Sequence, residues 1–189
     1  MSRKIKSPVL LALAAALGLI VLAGCGSQSE ETSESVQNSA AQPAAAPGTK
    51  GSPAPDFTLK RLDGSDLQLS SLRGKAVIID FWDTWCPPCK AAMPHFQALS
   101  EQYADEVVVV GVALGREGEA KVRKFAADYG ITFEMVMFNN DPDLNQAFGG
   151  NQSIPTTFLV DADGVIRDKW IGGHGKAVYE QGIKNLLGT

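Results

Sequence analysis

The chain has 189 residues, 44% of them hydrophobic, and its 17 lysines and arginines against 21 aspartates and glutamates give a formal charge of −4. An acidic balance with no basic stripe excludes an electrostatic footprint for nucleic acid. Three cysteines are too few for a framework of bridges, so a small fold stapled by disulfides is excluded as well.

Residues 1–24 combine Arg3, Lys4 and Lys6 with an apolar run from Val9 to Ala23, the pattern of a secretory signal. The run is short for a membrane-spanning helix, which needs about 20 apolar residues. It ends Leu22-Ala23-Gly24-Cys25, which resembles a bacterial lipobox and implies cleavage before Cys25 with lipid on its sulfur. Loss of residues 1–24, which carry three cationic and no anionic side chains, moves the formal charge from −4 to −7. The membrane tie is then the lipid anchor, stable when more than one acyl chain is attached. The expected address is a membrane surface facing the periplasm or the extracellular side. Gly26 in place of a retention aspartate leans that address toward the outer membrane where an organism has two. Residues 25–51 are rich in Ser, Gln, Glu, Ala and Pro, with Val36 the only large apolar residue, and read as a lipidated flexible tether spanning up to about 80 Å.

Residues 52–189 are the right length for one domain. Phe57-Thr-Leu and Leu67-Gln-Leu flank Leu62-Asp63-Gly64-Ser65, whose Asp-Gly predicts a hairpin turn. Ala76 to Trp82 reads as a short buried strand by its length and β-branched content. A helix follows from Pro87, with Met93, Phe96, Leu99 and Tyr103 on or near one face and Pro94 placed to kink it. Val107 to Val112 is a second buried strand, Glu117 to Tyr129 an amphipathic helix with Val122, Phe125 and Ala126 inward, and Gly130 its stop. The β, α, β, α alternation predicts a parallel central sheet. Phe133 to Phe138 is a further strand and Pro142 to Phe148 a short helix. Thr156 to Val160 and Val165 to Ile171 form a hairpin about Asp161-Ala-Asp163-Gly164, and Val178 to Leu187 is a closing helix.

The chemistry concentrates in Asp80-Phe-Trp-Asp83-Thr84-Trp85-Cys86-Pro87-Pro88-Cys89-Lys90. A four-residue loop constrains the unfolded chain very little, so a purely structural bridge is a poor use of this pair. Zinc needs about two further Cys or His ligands, and only His95 and His174 remain, without ligand spacing. A Cys-x-x-Cys between a strand and a helix has a different use: the helix N-terminus favours a thiolate on the first sulfur. Cys86 is therefore read as nucleophile and Cys89 as resolving thiol, the two forming a redox disulfide. Asp80 closes an apolar strand, where burial would raise its pKa and fit it to accept the Cys89 proton. The other reading of Asp80 is a solvent-reaching residue paired with Lys75 or Lys90. Asp83 and Thr84 read as capping or loop residues bordering the site, Trp85 as packing beside the cysteines, His95 as facing solvent or the helix groove, and His174 as a loop residue.

The segment Asp80 to Lys90, with Ile154-Pro155-Thr156-Thr-Phe, resembles the active-site and cis-proline segments of thioredoxins. Pro55-Asp56-Phe57-x-Leu, the Leu-Asp-Gly turn, Leu69-Ser-Ser-Leu-Arg-Gly74-Lys and Asp163-Gly164 are similar to the TlpA/ResA branch of membrane-tethered thiol-disulfide oxidoreductases. The resemblance implies a thioredoxin-like α/β fold, with a central mixed β-sheet flanked by helices and an added N-terminal β-hairpin. It also implies that the matching Asp80 lies behind the second cysteine, and that a cis bond at Pro155 exposes the backbone of Ile154 to a substrate strand, with Trp85 beside it. Taken from the residues alone, Pro155 is an edge or turn proline. The expected activity is protein-disulfide reduction, apocytochrome c being one implied substrate and a membrane protein of the DsbD/CcdA kind the electron donor, with no cofactor and no metal.

This chain departs from that branch at Ala92, where many members carry a glutamate two residues before the helix proline. Pro87 offers no N–H to the Cys86 sulfur, which removes one source of thiolate stabilisation and predicts a reductant rather than a strong oxidant. A rival reading is a Sco-like copper-binding protein on the same fold. That family typically spaces its cysteines Cys-x-x-x-Cys and places a histidine where this chain has Ile154-Pro155. A peroxiredoxin reading lacks its Thr-x-x-Cys arrangement.

Overall fold

The structure is a computed structural model that describes residues 46–150 and 153–189. The predicted signal at 1–24, Cys25 and the tether as far as residue 45 lie outside the described residues. The last residues assigned to the tether, 46–51, fold onto the domain. Gly48 is buried with its Cα so close to Phe148 that a Cβ would meet that backbone at 2.5 Å, and Gly51 N–H donates to Ile166 O at 2.8 Å.

The strands are β1 (Thr58–Arg61), β2 (Asp66–Gln68), β3 (Ala76–Trp82), β4 (Val107–Ala113), β5 (Glu134–Met137), β6 (Thr156–Val160) and β7 (Ile166–Ile171), and the helices α1 (Pro87–Gln102), α2 (Glu119–Asp128), α3 (Pro142–Ala147) and α4 (Lys176–Leu187). They build one sheet in the order β2-β1-β5-β4-β3-β6-β7. The expected parallel sheet holds only for β5, β4 and β3; β6 and β7 add antiparallel on one side, and the β1/β2 hairpin adds antiparallel to β5 on the other. For β6 and β7 the antiparallel pairing follows from the connection: a tight turn joins them, which cannot supply the long crossover that a parallel pair needs.

α2 begins two residues later than its periodicity predicts, because its N-cap Gly118 takes φ 91° and ψ 153°, outside the helical region; Glu117 before it bonds the Thr84 hydroxyl at 2.8 Å and Lys121. α2 ends as expected: Gly130 takes φ 62°, and the N–H groups of Gly130 and Ile131 return to Ala127 O and Ala126 O, closing the last turn in the glycine-capped manner. α4 starts at Lys176, ahead of the predicted Val178.

The central strands are buried on both faces, and their period of two divides the core. Ile78 and Trp82 of β3 pack with Cys89, Met93, Phe96 and Leu99 of α1, Val122 and Phe125 of α2, and Tyr179 and Ile183 of α4. Val77, Ile79 and Phe81 point the other way, toward Phe57, Leu67, Leu144, Phe148 and Phe158. In that second layer Phe158 meets Phe81 and Phe148 edge-on at 6.0 and 5.1 Å between centroids. Phe158 is fully buried, so Phe158→Ala removes a packed ring and leaves a cavity. The expected cost is about 3–5 kcal/mol, read as a lower denaturant midpoint at unchanged m-value. A cost below about 1 kcal/mol would mean that the neighbouring rings collapse into the space.

Candidate active site

Local hydrogen bonds fix the turn after β3. Asp83 is fully buried; its Oδ1 accepts the Thr84 N–H at 2.7 Å and its Oδ2 accepts the Arg116 N–H at 3.0 Å. Its own carbonyl accepts the Cys86 N–H at 3.2 Å. Asp83 thus ties the cysteine turn to the loop after β4, the loop role expected of it.

Cys86 is the N-cap of α1, in extended conformation at φ −91° and ψ 105°, and the next two residues are Pro87 and Pro88. Neither proline has an N–H, so the first free donor of the helix is Cys89 N–H, and it reaches the Cys86 sulfur at 3.3 Å. Lys90 N–H closes the first helical bond on Cys86 O at 3.1 Å. The capping sulfur therefore receives one backbone donor where an unblocked helix end offers more. Cys86 and Cys89 are joined, with S–S 2.06 Å and Cα–Cα 5.3 Å. Cys86 keeps 3% of its surface exposed while Cys89 is sealed.

The peptide bond Ile154–Pro155 is cis, which sets aside the plain edge-proline reading. The Ile154 carbonyl oxygen lies 3.7 Å from the Cys86 sulfur, and Pro155 O accepts the Gly172 N–H at 2.8 Å. Gly173 comes so near the active-site helix that a Cβ there would stand 3.2 Å from Pro88 Cβ. The glycines before His174 thus let the backbone approach the cysteine loop closely. Trp85 is 44% exposed, with the Arg116 guanidinium 5.3 Å from its ring centroid. His174 is half-buried; its N–H donates to the Tyr179 hydroxyl at 3.3 Å, and its ring stands 6.1 Å from that of Tyr179. Among the described residues no three His, Cys, Asp or Glu side chains gather as a metal site would need.

Asp80 is fully buried and pairs in register with Gly111 and Thr157. Strand alternation puts it on the face of Ile78 and Trp82, under α1 and α4, the layer that contains both cysteines. Its Oδ1 accepts the Thr157 hydroxyl at 2.7 Å, and Oδ2 has no partner among the described residues. Burial pushes its pKa up from 3.8 to about 8, against the smaller opposing pull of the Thr157 hydroxyl. The alternative pairing with lysine does not occur: Lys75 donates to Ala104 O at 3.0 Å. Ala92 is also buried in this layer, so the position that carries a glutamate in many members of the branch is a buried methyl on the cysteine helix, one turn after Cys89.

Three residues of this neighbourhood carry no signal in a single sequence. Thr157, the residue that holds Asp80, is a polar side chain in an apolar strand, yet a strand pattern shows a face and not the partner across it. Tyr179, whose hydroxyl accepts the His174 N–H, feels the Asp80 charge from a helix almost a hundred residues away in sequence. Gly111 opposes Asp80, and a Cβ there would stand 2.7 Å from Met135 Sδ and 3.2 Å from Trp82 Nε1.

The family model described as the AhpC/TSA family matches residues 50–169. The thioredoxin-like protein YneN of Bacillus subtilis is 38% identical over 134 residues, covering 70% of this chain and 77% of that one. The thiol-disulfide oxidoreductase ResA of Geobacillus thermodenitrificans is 38% identical over 137 residues, covering 72% and 77%. Among solved structures, a putative thiol:disulfide interchange protein DsbE from Chlorobium tepidum superposes with TM-score 0.66 at 31% identity, covering 74% of this chain and 98% of its own. With the cysteine pair bonded at the start of α1, the chain belongs to the ResA/TlpA-like thiol-disulfide oxidoreductases of the thioredoxin superfamily.

Proposed function

We propose that this oxidoreductase reduces protein disulfides outside the cytoplasm, on a lipid tether attached at Cys25. The reading of direction is carried by one observation: a single backbone N–H, that of Cys89, reaches the Cys86 sulfur. A thiolate with few donors is less stabilised, and a less stabilised dithiol gives up its electrons more readily.

In the forward step the Cys86 thiolate attacks one sulfur of a substrate disulfide, forming a Cys86–substrate bond and releasing the other substrate sulfur as thiolate. Ile154, whose carbonyl lies beside Cys86, presents its backbone to the incoming strand, and Trp85 borders that strand. Cys89 then loses its proton to the Asp80 carboxylate and attacks Cys86, releasing the second substrate thiol and leaving the Cys86–Cys89 disulfide. Two electrons from a membrane donor of the DsbD/CcdA kind restore the dithiol. Apocytochrome c fits as a substrate because its cysteines must be reduced before haem is attached. The lipobox-like run before Cys25 and the polar stretch after it support the tether, whose loss in Cys25→Ser would release the protein from membranes.

The decisive test is Cys89→Ser, which blocks resolution. Mixed disulfides through Cys86 should accumulate with extracytoplasmic thiol proteins and disappear in Cys86→Ser; a Cys89→Ser protein that traps nothing would sink the reading. A reduction potential near that of a strong periplasmic oxidant, roughly −120 mV, would reverse the assigned direction.

A further inference from the structure

The carboxyl ends of β3, β4 and β5, where open α/β sheets receive ligands, frame more than the cysteine turn. Between the loops that follow β4 and β5 lies a cleft of about 300 Å³. Its floor is apolar, Phe81 and Phe138 meeting edge-on at 6.0 Å between centroids. Its walls are polar: Arg116, Asn140, Asp141 and Asn145. The Arg116 backbone is fixed through its N–H to the buried Asp83, and its guanidinium rests over Trp85, the residue before Cys86. The cleft therefore shares a wall with the redox site.

The bonding state of the wall residues identifies the ligand. Asp141 turns Oδ1 to the backbone N–H groups of Asp143 and Leu144 at 2.9 and 3.0 Å. Most other cations of the domain, Arg61, Arg123 and Arg167 among them, are ion-paired. Arg116 has no acidic partner among the described residues, and the side-chain amides of Asn140 and Asn145 have no hydrogen bond there. The loop that presents them carries two successive non-glycine residues in the left-handed region, Asn139 at φ 56° and Asn140 at φ 52°, a backbone conformation that clusters at ligand sites. A guanidinium stacked on an aromatic ring keeps its edge N–H groups free for a carboxylate.

We propose that this cleft is a subsite for an acidic side chain of the protein substrate, near its reacting cysteine. The carboxylate meets Arg116 with the Asn140 and Asn145 amides, and the aliphatic stem lies on Phe81 and Phe138. The chain as a whole is acidic, at −4, and repels acidic partners at long range, so one local cation selects where a carboxylate is accepted. This subsite rests on the reading of the protein as a reductase of protein disulfides.

The test uses the full chain and two disulfide-bonded peptides that differ only by Glu against Gln close to one cysteine. The Glu peptide should be preferred by about 3–10-fold in kcat/KM, carried by KM, as suits an exposed charge-assisted contact, and the preference should shrink with salt. Arg116→Gln should bring the ratio to about one, while Lys124→Gln, an exposed cation outside the cleft and paired with Asp128, should leave it unchanged. No preference in the unaltered protein, or a preference that survives Arg116→Gln, overturns the subsite while leaving the reductase reading intact. Inhibition of the Glu peptide by millimolar free glutamate would assign the cleft to a small free carboxylate instead. Failure of both peptides to form a mixed disulfide with Cys89→Ser overturns the reductase reading and the subsite with it.

Discussion

Asp80→Asn should slow resolution of the mixed disulfide by about 10²–10⁴-fold, the usual contribution of a positioned proton acceptor, while leaving the attack of Cys86 on substrate nearly unchanged. The reason is the asymmetry of the two thiols. Cys86 sits at the helix N-terminus with a donor on its sulfur, whereas Cys89 is sealed in an apolar layer, where burial disfavours its thiolate. Asp80 is the ionisable group of that layer on β3, and asparagine keeps its shape and its bond from Thr157 without accepting a proton. The pH dependence carries the diagnosis. In the unaltered protein resolution should rise with pH and level off near the Asp80 pKa of about 8, because the carboxylate is the active form. In Asp80→Asn the rise should continue into the range of the Cys89 thiol itself. Single-turnover kinetics across pH 6–10 would measure both, and superimposable profiles would remove Asp80 from the mechanism. Thr157→Val should displace the Asp80 profile without abolishing it, since Thr157 positions the carboxyl and touches no reacting sulfur.

Much of this was legible before any coordinates. The run from Ala76 to Trp82 declared a buried strand, the prolines after Cys86 declared a helix start, and the pair between them declared its chemistry, because each of those signals is local. The Asp63-Gly64 turn likewise predicted the β1/β2 hairpin, but not that β1 would pair with β5 through Lys60 and Arg61. Alternation along a strand states which side chains go inward and leaves open which strand lies alongside. The same limit hid Thr157 and Tyr179, whose link to Asp80 is made across the sheet and from a helix. It also hid the cleft, since Arg116 and Asn140 read singly as solvated loop residues and acquire meaning only when two loops converge. Glu117 shows the reverse case: its periodicity placed it in α2, and the non-helical backbone of Gly118, at φ 91°, leaves it outside.

The substitution that costs activity should also stabilise the oxidised protein at alkaline pH. Asp80 has a folded-state pKa of about 8 against an ordinary 3.8, so between those values the folded chain holds a proton that the unfolded chain has released. Unfolding free energy should therefore fall as pH rises through that window, by up to about 1.4 kcal/mol per pH unit from this one group, and flatten above it. The contribution is fully present below the unfolded pKa and gone above the folded one. Carboxylates held by partners act elsewhere on the scale: Lys184, Lys176 and Gln102 bring Glu180 down to about 2, so its contribution is lost only in acid. Asparagine mimics the neutral aspartic acid at every pH. Asp80→Asn should match the unaltered protein near pH 4 and exceed it by several kcal/mol at pH 9, read from denaturant midpoints of the disulfide form. Equal stability of the two at pH 9 would mean that the buried carboxyl ionises without penalty, and its fitness to hold the Cys89 proton would fall with it. Should Asp80→Asn gain stability at pH 9 while losing the rate of resolution, the buried, half-partnered carboxyl is a cost to the fold that turnover explains.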